Sequence, residues 1–400
     1  HAMNINYYAE IQNSDFTTDP QKLNEWLQKN NGYSTGSILY DTQNNPYVAS
    51  SLVDSNAVSR YATENGITLS YGPRVAYNPS SETGAQFTQN SSSSVNAALC
   101  ELRPGLLKVQ VPGTSAPGHF VAASGIATVS GTPSWRVHDT LDEPEPLTLL
   151  SKYNNTFYQY QLAKTEVPSE YLSIALHSPV EFIVTAPDGK KTGFNPLSQT
   201  SYAEIPDADY ASDTLSTPDG AGVQEQKLFT VQNPLPGEYT IEVIGTGNGT
   251  YDLEITKSNG DEIEKLPIIT GNAVANQKDL YEFSNEDDAE IVRTVKIEGP
   301  HIPWQQLLRE RSRVPIRISI LGSATFSVSD IDTSTIKIGN AEILPRLTFK
   351  RDINRDKVQD LTVFATFREI GLTKQSTEIC MAGQLNNLLS ISGCDKLPRL

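Results

Sequence analysis

The spacing of hydrophobic positions is helical near the N-terminus and becomes strand-like later in the chain. Leu23, Trp26 and Leu27 recur at the spacing of one helical face. They follow Asp19-Pro20, where Asp is a favoured N-cap residue and Pro suits the first helical position. The pattern therefore predicts a helix that begins at residue 20. Further helices are predicted at residues 55–64 and 95–102, and a polar loop is predicted at residues 89–94.

Strands are predicted after these helices, at residues 106–111, 120–127 and 134–139. Helices that come first and strands that come later are typical of an α+β domain. This domain is predicted to occupy residues 1–165.

Short segments with strict alternation of hydrophobic and polar residues predominate from about residue 169 onward. Gly237–Gly245 and Tyr251–Ile255 alternate in this way and are separated by Gly247-Asn248-Gly249. Turn signals recur every 8–12 residues or so, which indicates a β-sandwich. The polar stretch Tyr202–Gln226 has no period and is predicted to be a surface loop.

A third group of strands is predicted at residues 314–321, 335–338, 347–350 and 361–367. The predicted fold class is thus one α+β domain followed by two all-β sandwich domains, at residues 166–290 and 291–400.

Composition and charge limit the partners of the chain. The 400 residues are 38% hydrophobic and only 20% charged, which is enough apolar material for packed cores. The formal net charge of −16 argues against nucleic acid and anionic membrane surfaces as partners. No run of about 18 apolar residues occurs, so no membrane span is predicted. His1-Ala2 ahead of Met3 is typical of a cloning remnant, so we expect that a native leader has been removed.

The three cysteines have two different contexts. Cys380 and Cys394 flank a polar, glycine-containing stretch typical of a hairpin, so they are predicted either to form a disulfide or to be two half-buried free thiols. Cys100 lies in a helical stretch with one apolar face. The main interpretation of Cys100 is a small buried hydrophobic residue, and the alternative is a nucleophile.

Residues 352–360 have the spacing of a calcium loop. Side-chain oxygens stand at its positions one, three, five and nine, and position seven offers a backbone carbonyl. The predicted ligands are Asp352, Asn354, Asp356, the carbonyl of Val358, and Asp360. Lys357 stands at position six, where glycine usually permits the sharp turn, and no glutamate stands at position twelve. The alternative is a solvated acidic turn.

A histidine and an aspartate on neighbouring predicted strands are the candidate catalytic residues. His119 opens one strand and Asp139 ends the next. An imidazole that is oriented by a carboxylate is the general base that deprotonates a thiol or hydroxyl nucleophile. The alternative is an ordinary buried histidine. His138 precedes Asp139 and is expected to point to the opposite side of its strand.

Four segments in the first 160 residues resemble, in order, the papain-like family of bacteriocin-processing cysteine peptidases that cut after a double-glycine leader. The matching segments are Asp19–Tyr33, Pro104–Val109, Gly118–Val121 and Val137–Asp139. The resemblance implies a papain-like α+β domain in which His119 is the base and Asp139 orients it. It also implies a peptide or protein substrate.

The same resemblance places the nucleophile outside this chain. In the family, a cysteine opens a helix that ends in a pair like Tyr7-Tyr8, and an oxyanion-hole glutamine precedes the cysteine. Both would fall before residue 1. Either the catalytic helix has been clipped, or the natural protein is a pseudopeptidase. In both cases we expect no peptidase activity from the chain as it stands.

Two later regions resemble accessory modules of exported proteins. Glu181–Phe194 and Gly245–Tyr251 are similar to immunoglobulin-like modules of secreted bacterial and archaeal proteins. Gly322–Phe326 and Asp332–Thr335 resemble a C-terminal β-module of exported bacterial proteins. The expectation is an extracellular or cell-surface protein, with no cofactor required and with Ca²⁺ as a structural ion. Its function is either that of a secreted cysteine peptidase or that of a non-catalytic binding protein.

Overall fold

A computed structural model describes most of the chain. It leaves out residues 31–37, 41–45, 49–52, 54, 77–82, 115–118, 130, 140–146, 166–169, 178, 217–222, 260–262, 287–289, 301–314, 340–343, 346, 367–368, 373–375 and 398–400.

The described residues are predominantly β, with 49% of them in strands and 18% in helices. The described residues contain four α-helices: α1 (Ala2–Ile11), α2 (Pro20–Lys29), α3 (Ser55–Glu64) and α4 (Gly84–Cys100). The predicted fold class, a papain-like α+β domain followed by two all-β domains, is therefore wrong. The helical periods belong to short helices, whereas inter-strand ladders hold most of the ordered backbone, and ladders depend on pairings that no local period reveals.

The chain forms two compact units. The first contains residues 1–177, 205–234 and 254–265, and the second contains residues 178–204, 235–253 and 266–400. Each unit is built from segments distant in sequence. The predicted boundaries at residues 165 and 290 stay predictions.

Capping residues determine where two of the helices begin. The Asp19 side chain accepts a 2.8 Å hydrogen bond from the Lys22 amide at the start of α2. Thr83 and Gln86 form a reciprocal capping box at the start of α4. The loop predicted at residues 89–94 is wrong, because it lies inside α4. There the Ser92 hydroxyl donates to the carbonyl of Thr88 and so remains compatible with helix.

A six-stranded antiparallel sheet with the strand order β3-β8-β4-β5-β6-β7 is the centre of the first unit. The first eight strands of the chain are β1 (Ile38–Tyr40), β2 (Pro46–Val48), β3 (Ser70–Ala76), β4 (Gly105–Val109), β5 (His119–Val129), β6 (Thr132–His138), β7 (Leu147–Leu149) and β8 (Gln159–Lys164). A short 3₁₀ helix, Leu150–Tyr153, follows β7.

The two faces of this sheet belong to different hydrophobic clusters. Leu106 and Ala122 belong to a cluster with α1, α2 and α3, and we call their side of the sheet the α1 face. Leu107 and Val121 belong to a cluster with α4, and we call their side the α4 face. Successive residues of a strand alternate between these two faces.

Nine strands form the next part of the chain: β9 (Tyr171–His177), β10 (Val180–Thr185), β11 (Lys191–Asn195), β12 (Thr200–Ala203), β13 (Ala208–Ser216), β14 (Val223–Gln232), β15 (Glu238–Gly245), β16 (Gly249–Ser258) and β17 (Ile263–Lys265). The surface loop predicted at Tyr202–Gln226 is wrong, because β13 pairs with β14 through nine residue pairs there. Ladder hydrogen bonds stabilise these strands although several of their side chains are polar, including those of the buried Gln226 and Lys227.

Ten strands complete the chain: β18 (Ile269–Ala273), β19 (Lys278–Ser284), β20 (Ile291–Thr294), β21 (Ile297–Glu298), β22 (Pro315–Ile320), β23 (Ile331–Ile338), β24 (Leu347–Arg351), β25 (Asp360–Thr366), β26 (Glu378–Leu385) and β27 (Ser390–Lys396). In the second unit, a nine-stranded sheet has the order β12-β11-β10-β15-β19-β20-β27-β26-β23. Its β23, β26 and β27 end shares a hydrophobic core with a four-stranded sheet of order β21-β22-β25-β24.

Candidate functional site

The register of β4, β5 and β6 brings His119 close to Asp139. His119 is the first residue of β5 and pairs with Val109 of β4. Ala122 of β5 pairs with His138 of β6. The next pair in that register joins Val121 and Asp139. Strand alternation therefore puts His119 and Asp139 on the α4 face of the sheet. Gly118, which belongs to the histidine motif, lies outside the described residues.

His119 and Asp139 form a direct side-chain contact. The His119 Nε2 atom lies 2.8 Å from Asp139 Oδ1. The Asp139 side chain is fully buried, and the His119 side chain is 17% exposed. An ionised carboxylate only accepts hydrogen bonds, so Nε2 carries the proton of a neutral His119 ring. The Nδ1 atom then keeps its lone pair, which is the state a general base needs.

Two further side chains hold the other oxygen of Asp139. Lys152 Nζ lies 3.0 Å from Asp139 Oδ2, and the Tyr153 hydroxyl donates to the same oxygen. Burial, followed by the hydrogen bond and the charge of Asp139, raises the pKa of Tyr153 to about 12. The Tyr153 hydroxyl is therefore protonated at neutral pH and serves as a donor.

Sequence reasoning missed Lys152 and Tyr153. Both come from the 3₁₀ helix after β7, 13 and 14 residues beyond Asp139. The sequence around them, Leu150-Ser151-Lys152-Tyr153, matches no motif that signals such a contact. Only the tertiary structure brings this turn to the end of β6.

His138 lies apart from this cluster. Its pairing with Ala122 places it on the α1 face, as strand alternation predicted. Burial lowers the pKa of His138 below the ordinary histidine value.

The helix that carries Tyr7-Tyr8 packs against the α1 face of the sheet. Ile5 and Tyr8 of α1 share a cluster with Leu106 and Ala122. Tyr153 belongs to the cluster of α4 instead, and its ring centroid lies 6.1 Å from that of His119. The described part of α1 and the His119–Asp139 pair therefore lie on opposite faces of the sheet.

Cys100, the free cysteine, lies away from His119. It is exposed at the end of α4, close in sequence to Gly105, where β4 begins. His119 pairs with Val109 at the other end of β4, and four strand residues span roughly 13 Å. Cys100 is exposed rather than buried, so its interpretation as a buried hydrophobic residue is wrong. Its position at the far end of β4 also gives it no role at His119.

The other two cysteines form a cross-strand disulfide. Cys380 of β26 and Cys394 of β27 are register partners and are bonded to each other. Together with Glu378 they form a compact group of side chains of the metal-binding types among the described residues. Because both sulfur atoms are consumed by the disulfide, this group offers no thiolate ligand.

The predicted calcium loop is closed by its own backbone amides. Asp352 accepts from the amides of Arg355 and Lys357, and Asp356 accepts from the amide of Val358. Asp360 is fully buried and accepts hydrogen bonds on both carboxylate oxygens, from backbone amides of the loop and of Gly322.

The loop keeps a left-handed backbone at position six, where Lys357 has a φ of 73°. The carboxylates of Asp352, Asp356 and Asp360 do not form a group whose oxygens all lie within 4.8 Å of one another in the described structure.

Comparisons with known proteins identify no family for the chain. No protein-family model matches it, and no curated protein is significantly similar to it. Among the described residues, no helix combines the length and the apolar character needed to cross a bilayer.

Proposed function

We propose that the first compact unit carries two components of a cysteine-peptidase acyl-transfer site, namely the general base and the carboxylate that orients it. His119 is the general base, and Asp139 orients it and stabilises its protonated form. The observation that carries this proposal is the 2.8 Å contact between His119 Nε2 and the fully buried Asp139 carboxylate.

The chemistry of this pair follows from its proton positions. A thiol within hydrogen-bond distance of His119 Nδ1 transfers its proton to that nitrogen and becomes a thiolate. The thiolate attacks the peptide carbonyl, and the imidazolium then gives the proton to the leaving amine. Water, deprotonated by the same nitrogen, hydrolyses the acyl-enzyme and regenerates the thiol.

The chain itself offers no thiol for this step. Two of its three cysteines form the disulfide, and Cys100 lies at the far end of β4. We therefore expect the 400-residue chain to leave peptide bonds intact. Its His119 ring remains able to catalyse the hydrolysis of an activated ester, because an imidazole lone pair suffices for that reaction.

The experiment compares the chain with two histidine variants, using p-nitrophenyl acetate as the probe. His119→Ala removes the proposed base, and His138→Ala is the matched control on the neighbouring strand. We expect His119→Ala to lose most of the protein-dependent ester turnover and His138→Ala to retain it. Equal turnover in the wild type and in His119→Ala would contradict the proposal.

A second measurement tests the peptidase assignment itself. The product of the complete gene, with any residues that the gene encodes ahead of residue 1, is incubated with peptide substrates and with an alkylating thiol reagent. Cleavage that disappears on alkylation and in His119→Ala supports the cysteine-peptidase function. Absence of cleavage, with ester turnover retained, favours a binding protein.

The non-catalytic alternative is supported by the position of Cys100. A protein whose free thiol lies away from its histidine retains the surface of the site without the nucleophile. In that case the molecule is an extracellular or cell-surface binding protein whose ligand is a peptide segment. A peptide that binds the wild type and His119→Ala with equal affinity would support this second function.

We propose an extracellular or cell-surface location on the basis of the disulfide, because such bonds persist in oxidising compartments. We also propose that the β-rich remainder consists of sandwich modules of the immunoglobulin-like kind, as the resemblance implies. A structural Ca²⁺ at residues 352–360 stays a prediction. Isothermal calorimetry on the wild type and on Asp356→Ala tests it, and absence of binding heat in the wild type removes it.

A further inference from the structure

The two oxygens of the Asp139 carboxylate bond to different partners. Oδ1 faces His119 Nε2 at 2.8 Å, whereas Oδ2 accepts from Lys152 and from Tyr153. The two partners of Oδ2 are adjacent in sequence, so the 3₁₀ helix delivers a cation and a neutral donor to one atom. A fully buried carboxylate needs such partners, because an unpaired buried charge is strongly unfavourable.

We propose that Lys152 and Tyr153 are positioning residues, which hold the Asp139 carboxylate in the orientation that His119 requires. This inference rests on the proposed role of His119 as a base. Tyr153 fixes the rotation of the carboxylate so that Oδ1 stays aimed at Nε2. Lys152 holds Oδ2 through a charged hydrogen bond and offsets the charge of the buried carboxylate.

The charges around Asp139 support this division of roles. Among the described residues, His119 from β5 and Lys152 and Tyr153 from the 3₁₀ helix bond to its carboxylate, while the adjacent His138 points to the α1 face. Tyr153 is a neutral donor at all pH values of interest, since burial and Asp139 raise its pKa to about 12. Lys152 is therefore the cationic partner of the carboxylate within this set.

Removing either partner loosens the Asp139 carboxylate. Without Lys152, Oδ2 loses its charged donor, and without the Tyr153 hydroxyl it loses its neutral donor. The carboxylate gains rotational freedom in both cases, so the Nε2–H bond weakens and its proton exchanges faster with water.

The test is ¹⁵N NMR of the full chain with labelled histidine side chains, in which His119→Ala assigns the ring. Lys152→Met and Tyr153→Phe are the test variants. Lys164→Met, which changes an ion pair to Asp207 on the same unit, and Tyr158→Phe, which removes a hydroxyl bonded to Gln110, are the matched controls. Lys152→Arg is the conservative variant that retains the positive charge.

We expect Lys152→Met and Tyr153→Phe to accelerate exchange of the His119 Nε2 proton with water, because each variant loses one hydrogen bond that holds the carboxylate. Lys152→Arg should restore the slower exchange of the wild type. Unchanged resonances of the other histidines verify the fold of each variant. Neither control should change the exchange of the Nε2 proton.

Two negative results separate this inference from the proposed function. If the wild-type ring carries its proton on Nε2 but neither test variant changes the exchange of that proton, the positioning role is wrong and the base role stands. If the wild-type ring carries its proton on Nδ1, or if His119→Ala retains full ester turnover, the base role is wrong and the positioning role falls with it.

Discussion

Asp209 lies opposite Arg74 in the interior of the first unit, but the two side chains form an incomplete ion pair. The Arg74 Nε atom is 3.5 Å from Asp209 Oδ2, and the other Asp209 oxygen is buried without a hydrogen-bond partner. Arg74 also donates to the carbonyl of Val53 at 3.1 Å. Burial outweighs the attraction of Arg74 and raises the pKa of Asp209 to about 7.

Asp209 should make the stability of the first unit depend on pH. The folded state binds a proton more tightly than the unfolded state, whose Asp pKa is near 3.8. The contribution is therefore fully present below about pH 4 and is lost as the pH rises through 7. A difference of about three pKa units corresponds to roughly 4 kcal/mol in the free energy of unfolding.

Urea unfolding at pH 5 and pH 8 measures this effect. We expect Asp209→Asn to flatten the pH dependence, because the amide does not titrate. Asp207→Asn, at an exposed position two residues away, is the control and should retain the wild-type slope. If Asp209→Asn and the wild type lose the same stability between the two pH values, Asp209 is not the responsible group.

A buried ion pair in the second unit should be much more important for stability than an exposed pair beside it. Arg293 donates to Asp279 at 2.6 Å, and both side chains are less than a tenth exposed. Tyr251 and Thr325 also donate to Asp279, each at 2.7 Å. Arg293→Met leaves the carboxylate without its cation and should lower the free energy of unfolding by about 3–5 kcal/mol.

The adjacent Lys278 provides the control for that prediction. It bonds to Glu242 at 2.9 Å, but both side chains are about a third or more exposed. Lys278→Met should change the stability by less than about 1 kcal/mol, because solvent screens exposed pairs. Chemical denaturation of both variants makes the comparison, and similar losses would show that burial does not govern the strength of these pairs.

Lys357→Gly should stabilise the loop at residues 352–360. Lys357 has a φ of 73°, which is unfavourable for a residue with a β-carbon, and glycine adopts it without strain. The greater freedom of glycine in the unfolded chain offsets part of the gain, so we expect a net stabilisation of about 0.5–1 kcal/mol. Lys350→Gly, in the exposed strand β24, should destabilise instead. A lower melting temperature for Lys357→Gly would contradict the prediction.

Reduction of the Cys380–Cys394 bond should lower the stability of the second unit. The two residues are 14 apart in sequence, and closing a loop of that size stabilises a fold by about 3 kcal/mol. Calorimetry with and without a reductant measures the shift. The double variant Cys380→Ser/Cys394→Ser should have the melting temperature of the reduced protein, and the reductant should not change it. The melting temperature of Cys100→Ser should fall with the reductant as that of the wild type does. A reductant effect in the double variant would have another cause.

Local signals in the sequence predicted individual elements better than the architecture. Asp19-Pro20 predicted the start of α2, where both residues act as capping theory requires. Residues 89–94 are rich in serine and were therefore wrongly predicted to form a loop. They are helical because the capping box of Thr83 and Gln86 starts the helix upstream and the Ser92 hydroxyl donates back to the carbonyl of Thr88. The polar strands β13 and β14 were missed because their stability comes from pairing and not from a hydrophobic period.

By itself, the sequence determined the acidic charge, the helix cap at Asp19 and the alternation that separates His138 from Asp139. These features depend on composition or on neighbours a few residues apart. Only the tertiary structure decided that Lys152 and Tyr153 share one oxygen of Asp139 and that Cys100 lies at the far end of β4 from His119. It also decided how the sheets are ordered. Such contacts depend on strand register and on buried partners, which no local pattern along the chain encodes.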